Sequence, residues 1–217
     1  MKLAIFDLDN TLIGGDSDYL WGEFLTEQGY IDSDAYQTGH EKFYQEYVKG
    51  TMDIYKFLEF QLKVLADNDR QTLEAWRETY IEEKIKPIML PKAFELIEDH
   101  RQQGHELLII TATNRFITEP IAKEFKIDNL IACEPEMIDS QYTGKVTGTP
   151  SYAQGKVTRL NEWLKNYEQP FEETWFYSDS HNDIPLLKEV DHAIAVDADE
   201  TLITEAKKLN WPVISLR

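Results

Sequence analysis

The feature that most restricts the fold of this chain is a short apolar run near its start that ends abruptly in acids. Residues 3–6 are apolar and are followed by Asp7, Asp9 and Thr11. A continuous apolar run of this length is typical of a strand that is buried on both faces, as in parallel sheets covered by helices. The sequence therefore predicts a buried first strand whose carboxyl end leads into a polar loop.

Further apolar runs of the same kind recur along the chain, and helical patterns separate them. Predicted strands cover residues 106–111, 130–133, 174–177 and 193–196, with a candidate edge strand at 213–215 and a hairpin or flap at 142–148. Predicted helices cover residues 93–103, 117–126, 155–167, 184–190 and 201–209. Strands that alternate with helices indicate an α/β fold with a doubly wound, mostly parallel, Rossmann-like sheet.

The alternation is interrupted after the first strand by a helical block from about residue 17 to residue 85. Apolar residues recur in this block at helical spacing, as at Phe57, Phe60 and Val64, and charged residues fill the gaps. The block is too long for an ordinary connection inside a compact domain. We therefore expect a core domain formed by residues 1–15 and 87–217, with residues 16–86 inserted as a helical cap domain.

The charge of the chain limits its partners. The sequence has 22 basic and 40 acidic residues, a net charge of −18. This charge argues against nucleic acid and against an anionic membrane surface, because both are polyanions. It also means that a phosphorylated substrate would need a local source of positive charge.

The single cysteine and the start of the sequence indicate in which cell compartment the protein is expected. One cysteine, Cys133, cannot form a disulfide within the chain, and we expect it to be a small buried apolar residue. The first apolar run is too short for a signal peptide, and no stretch approaches the length of a membrane span. These features favour a cytoplasmic protein.

The predicted strand ends carry an unusual set of polar side chains. Ligands in open α/β sheets bind beyond the carboxyl ends of the strands. Acids, hydroxyls and amides occupy those ends here, and a lysine opens the helix before the fourth strand: Asp7, Asp9, Thr11, Thr111, Thr113, Asn114, Lys156, Ser178, Asp179, Ser180, Asn182 and Asp183. Converging carboxylates repel one another unless a cation lies between them, and ligands that are all oxygen favour Mg²⁺ over Zn²⁺.

This set of residues is suited to phosphoryl transfer. An Asp carboxylate beside a divalent cation can attack phosphorus and form a mixed anhydride, which divides one difficult displacement into two steps. A second acid two residues later can protonate the departing alkoxide and then activate water. The groups at Thr111 and Ala112 can hold the phosphoryl oxygens, and Lys156 adds a fixed positive charge.

Four motifs in this order resemble those of the haloacid-dehalogenase superfamily, over nearly the whole chain. They are Phe6-Asp-Leu-Asp-Asn-Thr-Leu12, Ile110-Thr-Ala-Thr-Asn114, Gly155-Lys156 and Tyr177-Ser-Asp-Ser-His-Asn-Asp-Ile-Pro-Leu186. The helical insert is similar to the cap of the phosphoserine-phosphatase-like subgroup, subfamily IB.

The resemblance implies a role for each motif residue. Asp7 matches the nucleophile, and Asp9 matches the general acid/base, whose backbone carbonyl also binds Mg²⁺. Thr111 and Lys156 match residues that hold phosphate. Asp7 and Asp179 match the carboxylate ligands of the metal, and Asp183 matches a supporting carboxylate.

The cap residues bear on the choice of substrate. Asp16 lies where phosphoserine phosphatases carry a Glu that meets the substrate amine, while Gln61 lies where those enzymes have an Arg for the substrate carboxylate. A neutral amide binds a carboxylate less well than a guanidinium does. Acids and aromatics at the cap entrance, such as Asp18 and Trp21, suit a cationic leaving group. We therefore expect Asp16, Asp18, Trp21 and Gln61 to contact substrate.

An amine-bearing phosphomonoester without a carboxylate fits these residues, and histidinol phosphate is the preferred substrate hypothesis. Phosphoserine is the alternative, and a phosphotransferase on the same scaffold is another. A receiver domain of a response regulator also gathers acids, Thr and Lys at strand ends, but it is about half as long and has no cap. The oligomeric state and the roles of Arg115 and His181 are left open.

Overall fold

Seven strands form one sheet in a computed structural model that describes residues 1–34 and 36–217. The strands are β1 (Lys2–Phe6), β2 (Glu106–Asn114), β3 (Asn129–Ile138), β4 (Gln141–Thr147), β5 (Glu173–Ser178), β6 (His192–Val196) and β7 (Val213–Ile214). Their order is β4-β3-β2-β1-β5-β6-β7, and every neighbouring pair is parallel except β3 and β4. The predicted α/β fold with a mostly parallel sheet is confirmed.

The helices follow the predicted pattern closely. The block between β1 and β2 contains α1 (Ser17–Glu27), α2 (Ser33–Val48), α3 (Ile54–Asp67) and α4 (Arg70–Tyr80), then a π-turn (Ile81–Ile85) and a 3₁₀ turn (Lys86–Ile88). The remaining helices are α5 (Pro91–Gln102), α6 (Arg115–Glu124), α7 (Gln154–Leu164), α8 (Ile184–Leu187) and α9 (Glu200–Leu209). Among the described residues, none of these helices has the length and apolar character needed to cross a membrane.

Aspartates begin several of the helices. Asp16 accepts hydrogen bonds from the backbone N–H groups of Asp18 and Tyr19, both at 2.9 Å. Asp53, Asp69 and Asp199 cap α3, α4 and α9 in the same way. A side-chain oxygen at this position satisfies N–H groups that have no partner within the helix. Part of the acidic excess of the chain therefore has a local structural role.

The core lies on both faces of the sheet, with β1 at its centre. Leu3, Ala4, Ile5 and Phe6 have no exposed surface. One apolar cluster combines residues of β1 and β2 with residues of α1, α3 and α4, so the inserted helices share a core with one face of the sheet. The burial of β1 on both faces is as the sequence predicts, because a strand without polar positions has no face for water.

The two segments that join the insert to the sheet run side by side. Ile13 and Met89 form an antiparallel bridge, and Gly14 donates a backbone hydrogen bond of 2.8 Å to the Ile88 carbonyl. On the far side, β4 packs against α3 so closely that a Cβ at Gly144 would lie 3.2 Å from the Ala66 Cβ. The insert is therefore held at its root and along the β3–β4 hairpin.

Two histidines form a buried hydrogen-bonded chain with Tyr177, beside the start of β2. His100 Nε2 lies 2.8 Å from the Tyr177 hydroxyl, and His100 Nδ1 lies 2.7 Å from His105 Nδ1. A neutral His100 satisfies both contacts by accepting from Tyr177 and donating to His105. Burial, followed by the neighbouring His105, lowers the pKa of His100 to about 4.

This pKa predicts an acid-sensitive contribution to stability. Below about pH 6.5 the unfolded chain binds a proton at His100 that the folded chain does not, so stability falls as the pH is lowered toward 4. Between about pH 7.5 and pH 5, we expect the wild type to lose about 2 kcal/mol more unfolding free energy than His100→Gln. Urea unfolding at the two pH values measures this difference. The exposed His192→Gln is the control, and equal losses in all three proteins would contradict the prediction.

Candidate active site

The carboxyl ends of β1, β2 and β5 meet at one edge of the sheet because these strands are adjacent and parallel. A cavity of about 500 Å³ lies above this edge and is covered by the inserted helices. Side chains from the strand ends form its floor, and side chains from α1, α2 and α3 form much of its wall: Asp7, Asp9, Asn10, Asp16, Asp18, Tyr19, His40, Glu41, Phe43, Tyr44, Tyr47, Met52, Phe57, Thr111, Ala112, Thr113, Tyr152, Lys156, Asp179, Asn182 and Asp183.

A buried lysine joins two acids at the floor of the cavity. Lys156 Nζ lies 3.0 Å from Asp7 Oδ1 and 2.7 Å from Asp183 Oδ2, and all three side chains are buried. Ser178 Oγ also donates to Asp183 Oδ2, at 2.7 Å. Gly155 allows this placement, since a Cβ there would lie 2.0 Å from the Pro150 carbonyl oxygen. The lysine supplies the local positive charge that the acidic composition requires.

Burial and mutual repulsion change the acid strength of these carboxyls. The pKa of Asp7 is raised to about 7, chiefly by burial, with Asp183 and Asp9 adding to the rise and Lys156 opposing it. The pKa of Asp179 is raised well above its usual value by burial, by Asp7 and by Asp183. A nearby cation strongly stabilises the ionised form of a carboxyl whose pKa has been raised by burial and by other acids.

Asp7 and Asp179 both line the floor of the cavity, and they lie close enough for the charge of Asp7 to add to the burial that raises the pKa of Asp179. Thr11 Oγ1 orients Asp179 through a hydrogen bond of 3.3 Å to its Oδ1. Within the described residues, no group of three His, Cys, Asp or Glu side chains forms a closed metal cage. Mg²⁺ is commonly bound by one or two carboxylates and keeps several waters, whereas structural Zn²⁺ takes four protein ligands. The donor set therefore fits Mg²⁺.

Asp9 is held in a fixed orientation by three donors. Its Oδ1 accepts from the Ser17 backbone N–H at 2.6 Å, and its Oδ2 accepts from Thr113 Oγ1 at 2.9 Å and from Thr111 Oγ1 at 3.3 Å. Thr111, the predicted phosphate-binding residue, also accepts from the Thr113 N–H at 3.1 Å. Sequence reasoning assigned no role to Thr113, although its position at the strand end pointed to this edge of the sheet.

The start of α1 contributes two acids to the wall of the cavity, Asp16 and Asp18. Asp16 is exposed to solvent, and its carboxylate caps α1; partial loss of hydration among neighbouring protein atoms and the charge of Asp9 raise its pKa to about 6. Asp18 is only 4 % exposed, and its Oδ1 has no hydrogen-bond partner among the described residues. Burial and the charge of Asp16 raise the pKa of Asp18 well above its usual value.

The structure places the predicted substrate residue Gln61 behind the wall. Gln61 is 4 % exposed and does not line the cavity. The Tyr36 hydroxyl donates to Gln61 Oε1 at 3.3 Å, and the Gln61 side chain lowers the pKa of Asp18. Because Gln61 lies beside Asp18, its role is to support that carboxyl rather than to contact substrate.

The structure does not support Trp21 as a substrate contact. Its indole is 2 % exposed and packs against Tyr80, Phe24 and Phe116, with ring centroids 5.1, 5.8 and 5.9 Å away. Trp21 lies on the apolar side of α1 with Phe24 and Leu25, which faces the sheet. Glu23, another acid of α1, does not line the cavity and pairs with Lys84 at 3.6 Å.

Two tyrosines in the wall were not anticipated from the sequence. Tyr47, near the end of α2, donates to Ser180 Oγ at 2.9 Å, and Tyr152 donates to Asn182 Oδ1 at 3.1 Å. Burial and the nearby Asp179 raise the pKa of Tyr47 well above its usual value. Tyr47 therefore joins the cap to the loop after β5, a contact between residues far apart in sequence that no local pattern indicates.

Arg115 and His181 have partners outside the cavity. Arg115 donates to both carboxylate oxygens of Glu134 at 2.8–3.0 Å and to the Leu130 carbonyl at 2.8 Å, so it holds β3 against α6. His181 Nδ1 lies 2.9 Å from Asp199 Oδ2. Cys133 is buried as predicted, and its burial raises the pKa of its thiol to about 12.

Comparisons with known proteins agree with this arrangement. The model of the haloacid dehalogenase-like hydrolase family matches residues 4–188. A histidinol-phosphatase of Neisseria meningitidis serogroup C is 42 % identical over 220 residues, which cover 100 % of this chain and 99 % of that protein.

Solved structures show the same fold. A protein of unknown function from Bordetella pertussis Tohama I superposes with a TM-score of 0.93 at 38 % identity, covering 100 % of this chain and 99 % of that one. A phospho-aspartyl intermediate analogue of phosphoserine phosphatase superposes with a TM-score of 0.71 at 20 % identity, covering 100 % and 93 %.

We expect removal of the buried Lys156 ammonium to lower the stability of the protein strongly. Lys156→Met leaves Asp7 and Asp183 buried without their positive partner, which costs about 3 kcal/mol of unfolding free energy. The loss should be greater at about pH 8 than at about pH 6, because protonated carboxyls tolerate the absence of the lysine. Urea unfolding measures the loss. Lys63→Met removes an exposed pair with Asp67 and should cost less than about 1 kcal/mol. Equal losses in the two variants would refute the expectation.

Proposed function

Because the chain belongs to the haloacid dehalogenase-like hydrolase family, we propose that it hydrolyses a phosphomonoester through an aspartyl-phosphate on Asp7, with histidinol phosphate as the substrate. The observation that carries this proposal is the position of Asp7. Its carboxylate lies at the floor of a covered cavity, 3.0 Å from the Lys156 ammonium and beside the buried acids Asp179 and Asp183.

In the first step, a carboxylate oxygen of Asp7 attacks the phosphorus, and the bond from phosphorus to the ester oxygen breaks. Asp9 donates a proton to the departing oxygen, which leaves as an alcohol. The three hydrogen bonds to Asp9 hold its carboxyl in one orientation. Such fixed positioning lowers the entropic part of the barrier.

In the second step, Asp9 takes a proton from a water molecule, and the water oxygen attacks the phosphorus of the aspartyl-phosphate. The bond between phosphorus and Asp7 breaks, inorganic phosphate is released, and both carboxyls return to their starting state. Thr111, Ala112 and Lys156 line the cavity next to Asp7. They are the residues that we propose to hold the phosphoryl oxygens as charge develops on them.

Mg²⁺ is the proposed cofactor, held by the carboxylates of Asp7 and Asp179 and by the backbone carbonyl of Asp9. When bound, it offsets the negative charge that accumulates on the phosphoryl group. Asp183 supports the site from behind through Lys156 Nζ and Ser178 Oγ. Neutralisation of repelling carboxylates is the physical reason to expect the site to need a cation.

The charge of the cavity favours an amine on the leaving group. Seven acids line it, namely Asp7, Asp9, Asp16, Asp18, Glu41, Asp179 and Asp183, whereas Lys156 is the only lysine or arginine among the described lining residues. That lysine is engaged by two acids at the floor. The described part of the wall offers no free cationic side chain that could pair with a carboxylate on the leaving group. An ammonium on the leaving group could pair with the Asp18 carboxylate.

This charge balance favours histidinol phosphate over phosphoserine. Both molecules carry an amine next to the phosphate ester, but only phosphoserine carries a carboxylate. The Neisseria relative, a histidinol-phosphatase, matches this chain along its whole length. Phosphoserine phosphatase SerB1 of Mycobacterium tuberculosis is less similar, at 25 % identity over 217 residues, and the solved phosphoserine phosphatase at 20 % identity shows a likeness of fold alone.

Loss of the nucleophile should abolish turnover. We expect Asp7→Asn to reduce hydrolysis of histidinol phosphate to background at saturating Mg²⁺, because an amide cannot form the phosphoenzyme, while circular dichroism and thermal unfolding show a folded protein. Asp139→Asn makes the same chemical change in an exposed turn outside the cavity and should keep full activity. Substantial activity in Asp7→Asn would refute the proposed nucleophile.

Loss of the buried cap acid should reduce the preference for an amine. We expect Asp18→Asn to lower the ratio of kcat/KM for histidinol phosphate to kcat/KM for p-nitrophenyl phosphate by about 10–100-fold, the value of a charged hydrogen bond. Asp16→Ala removes the side-chain cap of α1 and should cost about 1 kcal/mol in unfolding free energy. An unchanged ratio in Asp18→Asn would exclude Asp18 as the amine partner, and a preference of the wild type for phosphoserine would exclude the proposed substrate.

A further inference from the structure

The outer part of the cavity is lined with aromatic side chains, which phosphoryl transfer does not require. Beyond the acids of the floor, the wall is formed by aromatic side chains from the cap, including Tyr19, Phe43, Tyr44 and Phe57. A cavity of about 500 Å³ is within the range that encloses ligands with a ring. The outer wall therefore suits a part of the substrate that is planar and larger than a short carbon chain.

Two of these aromatics keep much of their surface free. Tyr19 is 42 % exposed and Tyr44 is 52 % exposed, and both line the cavity. By contrast, Phe43 and Phe57 pack against each other with ring centroids 5.5 Å apart. Exposed tyrosines on a cavity wall are surfaces on which a planar ring can stack.

The position of Tyr19 is set by contacts with α2. Its ring centroid lies 4.7 Å from that of His40, which in turn lies 6.0 Å from the ring of Tyr36. Burial lowers the pKa of His40, although Glu41 opposes the shift, and this favours the neutral imidazole. The Tyr19 ring is tilted by 58° against His40, whose ring stacks on Tyr36 at 28°, so α2 supports Tyr19 at the cavity wall.

Glu41 adds a hydrogen-bond acceptor next to these rings. It follows His40 on α2 and lines the cavity, and its Oε1 accepts from Gln45 Nε2 at 2.9 Å. An oriented carboxylate beside an aromatic platform is suited to a planar ring that carries an N–H group.

We propose that Tyr19, His40, Glu41 and Tyr44 form a subsite for a planar, nitrogen-containing ring on the leaving group of the substrate. The ring stacks on Tyr19 and Tyr44, and a ring N–H donates to the Glu41 carboxylate. This inference rests on the proposed function for the phosphoryl end of the substrate. It assigns the selection of a ring to Tyr19 of α1 and to three residues of α2, separate from recognition of the amine at Asp18.

The first test compares two phosphomonoesters that differ only in the ring. Histidinol phosphate carries an imidazolylmethyl group where 2-aminopropyl phosphate carries a methyl group. The wild type should prefer histidinol phosphate in kcat/KM. Glu41→Gln should lower this preference about tenfold and Tyr19→Leu about fivefold. Glu46→Gln, the same change on α2 but outside the cavity lining, should retain the preference.

The second test uses the alcohol products and does not depend on which ester is the natural substrate. With p-nitrophenyl phosphate as the assay substrate, histidinol should inhibit the wild type at least about tenfold more strongly than 2-amino-1-propanol. Glu41→Gln and Tyr19→Leu should reduce this difference, and Glu46→Gln should not. Calorimetric binding of the two alcohols gives the same comparison without any turnover.

The outcomes separate the subsite from the proposed function. Equal treatment of the two esters and of the two alcohols by the wild type overturns the ring subsite, even if Asp7→Asn confirms the phosphatase. A ring preference that survives in both variants places the ring elsewhere in the cavity and also overturns it. If no monoester is hydrolysed, the proposed function fails, while stronger binding of histidinol that depends on Glu41 still supports the subsite.

Discussion

The ion pairs of Lys156 are the interactions on which the rest of the site depends. The chain carries a net charge of −18 and buries several carboxyls at the edge of its sheet. One buried ammonium, bound to Asp7 and Asp183, makes this concentration of acids possible in a folded protein. Carboxylates that were buried without a cation would instead be protonated or would destabilise the fold. The same ammonium leaves Asp7 facing the cavity, where a phosphoryl group can reach it.

The fold places the residues proposed for phosphoryl transfer and those proposed for substrate selection on different elements. Strand ends of the core carry Asp7, Asp9 and Asp179, and a sheet with a fully buried central strand is a rigid base for them. The inserted helices supply the wall that faces the leaving group. Tyr47 joins the two parts through its hydrogen bond to Ser180. Substrates can therefore change through the cap while the reaction at the sheet edge stays the same.

The wall of the cavity has an acidic zone and an aromatic zone, which correspond to the amine and the ring of the proposed substrate. Asp16 and Asp18 lie close to Asp9, whose charge adds to the desolvation that raises the pKa of both, so an ammonium would be held next to the ester oxygen. Farther along, Tyr19 and Glu41 form the zone that we assign to a ring. The order of phosphoryl, amine and ring in histidinol phosphate follows the same direction. Phosphoserine has no group for the outer zone.

The sequence by itself determined the sheet, the inserted helices and the polar floor of the cavity, because strands that end in Asp7, Thr111 and Asp179 must bring those residues to one edge once they are parallel neighbours. Only the tertiary structure decided the wall. Helical spacing shows that Trp21 lies on an apolar stripe but not which surface that stripe covers, and it packs against Tyr80 in the core. Contacts such as Tyr47 with Ser180 join residues far apart in sequence, and they depend on how the cap docks, which no local pattern encodes.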